Sequence, residues 1–341
     1  MVITRQKGLT PAPGVPAVYL AHFVDALTID RLQRLAVMEK AGLDASELHP
    51  EQRIGLRPVL ALIAALDEQA PRGWHIEPAL ALEAAHHGPV GIAVSSAPTL
   101  GRALELLARF EPLRVDFAAL HCKLRAGAWS GRILPLFEPE GPWELLLEIH
   151  LLSLAGLLDR LLGGQTGRLQ LSMPERYRPW QSALEQRFRS RLQFTGRHYQ
   201  LDLPAAALSL PSRLASADLH GDAVARCERL LDRQSPISPL AVQIQSRLLA
   251  AEGELPGLQD MARELCCSSR TLTRRLSEAG TSYRKVTDEV RRLLAMDLLR
   301  RSNQPIDAIA ERLGYRDTAN FGRACRRWFG DSPGRVRRGS G

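Results

Sequence analysis

This 341-residue chain is poor in the features that mark exported, membrane-spanning and catalytic proteins. Its five cysteines are an odd number in a long chain and give no disulfide framework of the kind small exported domains need. No apolar run is long and clean enough to span a bilayer. The most apolar segment, Trp143 to Leu162, is interrupted by Glu144, Glu148, His150, Asp159 and Arg160, which suits an amphipathic helix that is buried or forms a dimer. No positively charged start followed by an apolar signal core precedes it. A reducing cytoplasm is the expected setting.

Catalytic and metal motifs are missing as well. There is no P-loop, no dinucleotide fingerprint and no GxSxG elbow. Glu77, Glu83, Glu138 and Glu140 are dispersed acids without a visible partner. His86 and His87 are adjacent, so their rings point different ways, and no Cys or carboxylate set at ligand spacing accompanies them. Cys266 and Cys267 do not form a CxxC pair, and Cys122, Cys227 and Cys325 fall in segments that read as buried. Small core residues account for them better than a thiol sensor does. No enzyme activity, cofactor or metal site is expected. An enzyme fused to a DNA-targeting module would need a reactive thiol, and Cys122, although next to His121 in sequence, shows no His-and-acid set that would activate it.

What the chain does have is basic charge, concentrated at one end. From Ile237 to Gly341 there are 19 Lys and Arg against 12 Asp and Glu, a net of +7, whereas the whole chain carries +8. The use of Arg over Lys fits either bidentate recognition of phosphate or a guanine edge or a GC-rich genome, but the genome would not explain that concentration. A basic module on a near-neutral body points to phosphate contact by the module alone.

The same region holds one helical pattern twice. The copies read LQDMARELCCSSRTLTRRL, from Leu258 to Leu276, and IDAIAERLGYRDTANFGRAC, from Ile306 to Cys325. Each opens with apolar residues at helical spacing: Leu258, Met261, Ala262 and Leu265, then Ile306, Ile309, Ala310 and Leu313. Each then breaks and restarts, with Ser268 and Asp317 or Thr318 suited to cap the second helix. In the second helices Leu272, Leu276, Phe321 and Cys325 are expected inward, leaving Arg270, Thr273, Arg274, Thr318, Asn320, Arg323 and Arg327 mostly outward. Helix, tight turn and an Arg-rich helix is the helix-turn-helix design, whose second helix lies in the DNA major groove. Between the copies, Tyr283, Val286, Val290, Leu293, Leu294 and Leu298 recur at helical spacing. They predict a connecting rod of about 27 Å, able to hold two recognition helices near the roughly 34 Å of one DNA turn.

At this point the residues match a family. The segment from about Ile237 to Arg338 resembles the carboxy-terminal DNA-binding domain of AraC/XylS-type transcription regulators. SSRTLTRRLSEAGTSYRKV is similar to the family's first motif. The second is the more specific: Ile309-Ala310, Leu313-Gly314-Tyr315, Phe321, Arg323, Ala324, Arg326-Arg327, Gly330 and Ser332-Pro333 keep its order and spacing. Cys266 stands where the family usually has Gly, so a strained, slightly altered first turn is expected. Ala319 replaces a polar residue, and Val336 the usual aromatic. The resemblance implies that Arg270, Thr273 and Arg274 face the groove in the first half-site, and Thr318, Asn320 and Arg323 in the second. Arg326, Arg327, Arg335, Arg337 and Arg338 are expected at phosphates.

The first 236 residues read as a separate α+β regulatory domain ahead of the all-α domain with two helix-turn-helix motifs. Arg53 to Gln69, Thr99 to Phe110 and Trp143 to Leu162 predict helices. Leu113 to Leu124, Ser130 to Phe137, Leu169 to Met173 and Gln193 to Leu203 contain strand-like stretches. DRQSPISP, with two prolines and two serines, suggests a boundary. We therefore expect a flexible start over 1–14, an effector-binding or oligomerisation domain over 15–231, a linker over 232–239 and the DNA-binding domain over 240–338, with motifs at 258–276 and 306–327. From Val15 to about Leu210 the chain resembles the arabinose-binding-type domain of one AraC subgroup, on VPAVYLAHFVDAL, His87-Gly88-Pro89-Val90-Gly91 and SAPTLGRALELLARFEPL. That resemblance implies effector binding or self-association without fixing a ligand.

The expectation is an effector-responsive, sequence-specific activator acting on double-stranded promoter DNA, with RNA polymerase as the partner the family implies. A small-molecule effector and a homodimer are the further partners considered. The alternative is a constitutive architectural or repressor protein whose first domain only dimerises.

Overall fold

The computed structural model describes residues 14–27, 31–44, 49–50, 52–125, 127–135, 142–163, 168–176, 178–196, 198–234, 239–250 and 255–338. The flexible start expected for 1–14 lies outside these residues except for Gly14, which opens β1 (Gly14–Pro16). β1 pairs antiparallel with β2 (Arg53–Gly55), Val15 opposite Ile54. This pairing takes three residues from the helix expected over Arg53 to Gln69, which starts instead at Leu56. The helices here are α1 (Ala17–Ala26), α2 (Arg31–Lys40), α3 (Leu56–Gln69), α4 (Ile76–Ala81), α5 (Gly88–Ser95) and α6 (Leu100–Phe110). In α6 the apolar spacing buries Leu100, Ala103, Leu104, Leu107 and Phe110, and Thr99 caps the first turn by accepting the Arg102 amide at 3.3 Å.

The main sheet comprises β3 (Ala118–Arg125), β4 (Ala128–Pro135), β5 (Gln170–Pro174), β6 (Leu192–Gly196) and β7 (Tyr199–Pro204), in the spatial order β3-β4-β7-β5-β6. Only β5 and β6 run parallel; the sheet is mixed and the domain is α+β. β3 begins five residues later than the strand-like stretch from Leu113, because Glu111–Leu113 form a 3-10 turn around Pro112. The stretch from Ser130 becomes part of β4, and 136–137 lie outside the described residues.

α7 (Trp143–Leu162) occupies the centre and is buried on nearly all sides. Gly156 lets α4 approach closely, since a Cβ there would collide with the Leu80 carbonyl. A helix this dry must satisfy its polar side chains internally. Glu148, fully buried, accepts from Arg178 Nε at 2.7 Å and Trp180 Nε1 at 2.6 Å, with His75 Nε2 at 3.0 Å. Burial alone would raise this carboxyl, but the His75 hydrogen bond and the Arg178 guanidinium outweigh it and hold it at about 2. α8 (Gln181–Phe188) precedes β6, and α9 (Ala217–Gln234) packs along α5. α9 thus continues into the segment expected to be a linker, of which 235–238 lie outside the described residues.

The remainder is helical: α10 (Pro239–Ala250), α11 (Leu258–Glu264), α12 (Ser269–Glu278), α13 (Tyr283–Arg301), α14 (Ile306–Arg312), α15 (Thr318–Phe329) and α16 (Pro333–Arg338). Two apolar clusters hold it together. One gathers Ile244, Leu248, Met261, Leu272, Leu276 and Val290, the other Leu299, Ile309, Leu313, Phe321, Cys325 and Val336. α13 feeds both, and Leu294 packs against each. It is 19 residues long, a rod of roughly 28 Å.

The two domains touch. Leu134, at the end of β4, is buried in the first of those helical clusters, and His198 Nδ1 stands 3.1 Å from Asp297 Oδ1 on α13. Among the described residues no helix is long and apolar enough to cross a membrane.

Candidate nucleic-acid interface and the amino-terminal cavity

Both helix-turn-helix units close their first helix in the same way. In the first, the amides of Cys266 and Cys267 donate to the carbonyls of Arg263 and Ala262 at 3.0 and 2.9 Å. In the second, Gly314 and Tyr315 donate to Glu311 and Ala310 at 2.8 and 2.9 Å. This paired return of amides to the last carbonyls is the Schellman motif, which needs a left-handed residue. Gly314 supplies it at φ 77° and Cys266 at φ 51°. The first turn keeps the hydrogen bonding of the second despite lacking glycine.

The second helices then start on side-chain caps. Ser268 Oγ accepts the Thr271 amide at 3.1 Å, and Asp317 Oδ1 accepts that of Asn320 at 2.6 Å. Leu272, Leu276, Phe321 and Cys325 face inward, each fully buried. On the other side, Arg270, Thr273 and Arg274 of α12 are exposed, as are Thr318 and Arg323 of α15. Asn320 is half-buried, its Nδ2 donating to Asp317 Oδ2 at 2.7 Å and its Oδ1 accepting from Arg323 Nη2 at 2.5 Å. Arg274 lies 3.8 Å from Glu278, and since both are well exposed, water screens that pair. The neighbouring Arg275 is also exposed.

The residues expected at phosphates divide into two groups. Arg326 and Arg338 are exposed, and Arg335 is exposed 3.6 Å from Asp331. Arg327 and Arg337 also serve structure. Arg327 Nη2 donates to Asp288 Oδ1 at 2.6 Å while remaining largely exposed, and Trp328 Nε1 donates to Asp288 Oδ2 at 3.1 Å. One carboxylate on α13 thus anchors the end of α15. Half-buried Arg337 donates to the Gln304 carbonyl at 2.5 Å, tying α16 to the start of α14. Arg291 Nε, whose guanidinium lies over the Tyr315 ring, donates to the Leu313 carbonyl at 2.8 Å and so closes α14. Sequence reasoning missed Asp288 and Arg291, because their partners lie 39 and 22 residues away with no local pattern to link them.

The amino-terminal domain contains a cavity of about 90 Å³ between α1, α3, α5 and α7, lined by Phe23, Leu66, Trp74, Val90, Phe117 and Leu154 among others. At one side the Tyr19 hydroxyl lies 2.9 Å from His87 Nδ1, and Arg114 Nε donates to the same hydroxyl oxygen at 3.4 Å. Arg114 Nη2 donates to the His86 carbonyl at 2.8 Å. Glu111 is held by His150 Nε2 at 2.8 Å and the Leu120 amide at 2.6 Å. Burial, then the charge of Arg114, lowers the His87 imidazolium to about 3, so the ring is neutral. His87 Nε2 is buried without a hydrogen-bond partner. The sequence places His87 beside His86 but gives no sign of its burial against Tyr19.

Burial holds three of the cysteines as unreactive thiols, while Cys266 is exposed and Cys267 half-buried. Burial raises the thiol of Cys122 far above its ordinary value, Cys227 to about 11 and Cys325 to about 12. No group of three or more His, Cys, Asp or Glu that could hold a metal ion occurs among the described residues.

Paired helix-turn-helix units with arginine on their outer faces define a DNA-binding transcription regulator. Comparison with known proteins agrees. The family profile described as a helix-turn-helix domain matches residues 261–339, and that described as the arabinose-binding domain of AraC transcription regulator matches 32–212. The chain is similar to the ornithine utilization regulator of Pseudomonas aeruginosa, with 30% identity over 335 residues, covering 92% of this chain and 95% of that one. It is also similar to the transcriptional regulator VirS of Mycobacterium tuberculosis, 27% identical over 262 residues, 73% of this chain and 74% of that one. Among solved structures, the transcriptional regulator CdpR from Pseudomonas aeruginosa aligns over 92% of this chain and 99% of its own at 26% identity, with a TM-score of 0.43. The chain belongs to the AraC family, with the arabinose-binding-type amino-terminal domain and the helix-turn-helix carboxy-terminal domain. It is a regulator that binds DNA, not an enzyme.

Proposed function

We propose that this regulator reads two adjacent major-groove segments of promoter DNA. Arg270, Thr273 and Arg274 on α12 meet base edges in one half-site, and Thr318, Asn320 and Arg323 on α15 meet those in the other. Arg326, Arg327, Arg335, Arg337 and Arg338 contact phosphates, which fix register and supply much of the affinity. The observation that carries this reading is the single rod α13, which contributes to both cores and spaces two units with the same turn geometry.

The amino-terminal domain answers to a small effector, self-associates, or both, and alters how the two recognition helices are presented. Leu134 in the helical core and the His198–Asp297 contact give it a physical route to the DNA-binding domain. An effector acts only by favouring one arrangement over another. Occupied promoters are activated through RNA polymerase, in the cytoplasm. Ornithine utilization, named for one relative, stays with that relative.

The test is retention of sheared native DNA by the purified chain at two salt concentrations, followed by sequencing. A few salt-resistant promoter sites carrying two motifs one turn apart support the reading. Diffuse, salt-labile retention both with and without cell extract would sink it and favour an architectural role.

A further inference from the structure

The cavity of the amino-terminal domain has a defined chemistry. Its wall is apolar, built from side chains such as Phe23, Leu66, Val90 and Leu154. The polar groups on its rim are mostly committed: Glu111 to His150 and the Leu120 amide, Arg114 to the His86 carbonyl and Tyr19, Ser153 to the Ile149 carbonyl. His87 differs. Arg114 Nε donates a hydrogen bond to the Tyr19 oxygen, and the hydroxyl's own hydrogen is then available to His87 Nδ1, 2.9 Å away. A neutral ring accepting at Nδ1 carries its hydrogen on Nε2, a buried atom without a hydrogen-bond partner on a residue that is only 9% exposed and belongs to the cavity lining.

We propose that this cavity binds the effector, and that the ligand is a small, uncharged, mainly apolar molecule with one carbonyl group, such as a ketone, ester or lactone, its carbonyl oxygen held by His87 Nε2–H. This deepens, and rests on, the reading that the amino-terminal domain answers to an effector. A pentose brings several hydroxyls that need partners in a site offering one open donor, so the arabinose named for the family domain does not suit it. A carboxylate or ammonium must leave water for a wall whose charged groups are already engaged. The volume of about 90 Å³ is smaller than the ~150 Å³ cavity that accepts benzene in another protein, which sets the ligand at about four to six non-hydrogen atoms unless side chains yield. Phe117, on the wall, immediately precedes β3, and the partner strand β4 carries Leu134 into the DNA-binding core. An occupant pressing on Phe117 therefore acts on the hairpin that touches the DNA-binding domain.

The experiment uses the full chain labelled with ¹⁵N-histidine and three probes: cyclopentanone, cyclopentane and L-arabinose. Cyclopentanone is expected to shift the His87 Nε2 resonance and to bind about tenfold more tightly than cyclopentane, the worth of one hydrogen bond in a dry site. L-arabinose is expected to do neither. His87→Leu should bind the two cyclic probes equally. Leu154→Phe, which fills the cavity and leaves His87 in place, should bind neither, so a folding failure of one variant leaves the other informative. Equal binding of ketone and hydrocarbon by the wild type, no binding of either, or a resonance shift with L-arabinose overturns the proposal. Promoter binding is measured on the same samples. Specific DNA binding without ketone binding removes the site and leaves the regulator, whereas ketone binding without specific DNA binding does the reverse.

Discussion

Cys266 and Gly314 hold the same place in the two helix-turn-helix units, each closing a first helix with a positive φ, 51° and 77° respectively. The hydrogen bonds around them match, so the cysteine adopts the glycine geometry at a steric cost of about 1–2 kcal/mol. Cys266→Gly should recover part of that, about 0.5–1 kcal/mol after the entropy it adds to the unfolded chain. Gly314→Ala should destabilise by about 1–2 kcal/mol. Urea midpoints read both, and a Cys266→Gly protein less stable than wild type would contradict the shared geometry.

Arg274→Ala and Arg323→Ala should each weaken specific DNA binding by about 1–3 kcal/mol and relax preference in its own half-site. Arg326→Ala should weaken specific and random DNA alike and reduce the salt slope by about one. Fluorescence titration on both DNAs at several salt concentrations separates the cases. Equal losses for Arg274→Ala on both DNAs would move that residue to the phosphates.

Asp288→Ala removes the acceptor shared by Arg327 and Trp328. The Arg327 pair is exposed and worth little, so most of the loss comes from the indole. A stability cost of about 1 kcal/mol is expected. DNA affinity should fall as well, through loosening of α15 against α13. Unchanged stability together with unchanged DNA binding would show that the anchor holds nothing.

Two buried groups set the acid behaviour. His87 stays neutral in the folded chain down to about 3, whereas unfolded it takes a proton near 6.5. The unfolded state holds more protons in between, so stability drops as pH falls from about 6.5 toward 3. Glu148, ionised in the fold down to about 2 and ordinarily protonated near 4.5, adds a second loss between those values. His87→Gln should flatten the upper part of the profile. The stability gap between wild type and Glu148→Gln should narrow below pH 4.5. Denaturant midpoints against pH check both, and a profile unaltered by His87→Gln would contradict a buried neutral ring.

Leu134 belongs to the amino-terminal sheet but is buried among helices of the other domain. Leu134→Ala should cost about 2–4 kcal/mol and do so in the unfolding of the DNA-binding domain. Hydrogen exchange of α10 and α13 amides reports this directly. Protection equal to wild type would mean that the domains do not communicate through this residue.

The DNA-binding domain was legible because its signals are local. Apolar spacing, the caps Ser268 and Asp317 and the repeated pattern all act within a few residues, and each lies in the expected place. What escaped the sequence is long-range. Asp288 finds Arg327 and Trp328 from a different helix, and Arg291 reaches the Leu313 carbonyl across a loop. β2 was hidden inside a helical pattern because Arg53–Gly55 are claimed by β1, about 39 residues earlier by the Gly14↔Gly55 to Pro16↔Arg53 pairing. The His87 site depends on four elements meeting, which periodicity does not report.

In the proposed complex one rod, α13, spaces two recognition helices along the duplex. The decisive experiment titrates the full chain against operators whose half-sites are held constant while their separation is varied one base pair at a time. Affinity should peak at a centre-to-centre spacing of about 10–10.5 base pairs and fall steeply when about half a turn is inserted. Affinity independent of spacing would mean that α13 does not set the distance between the two recognition helices.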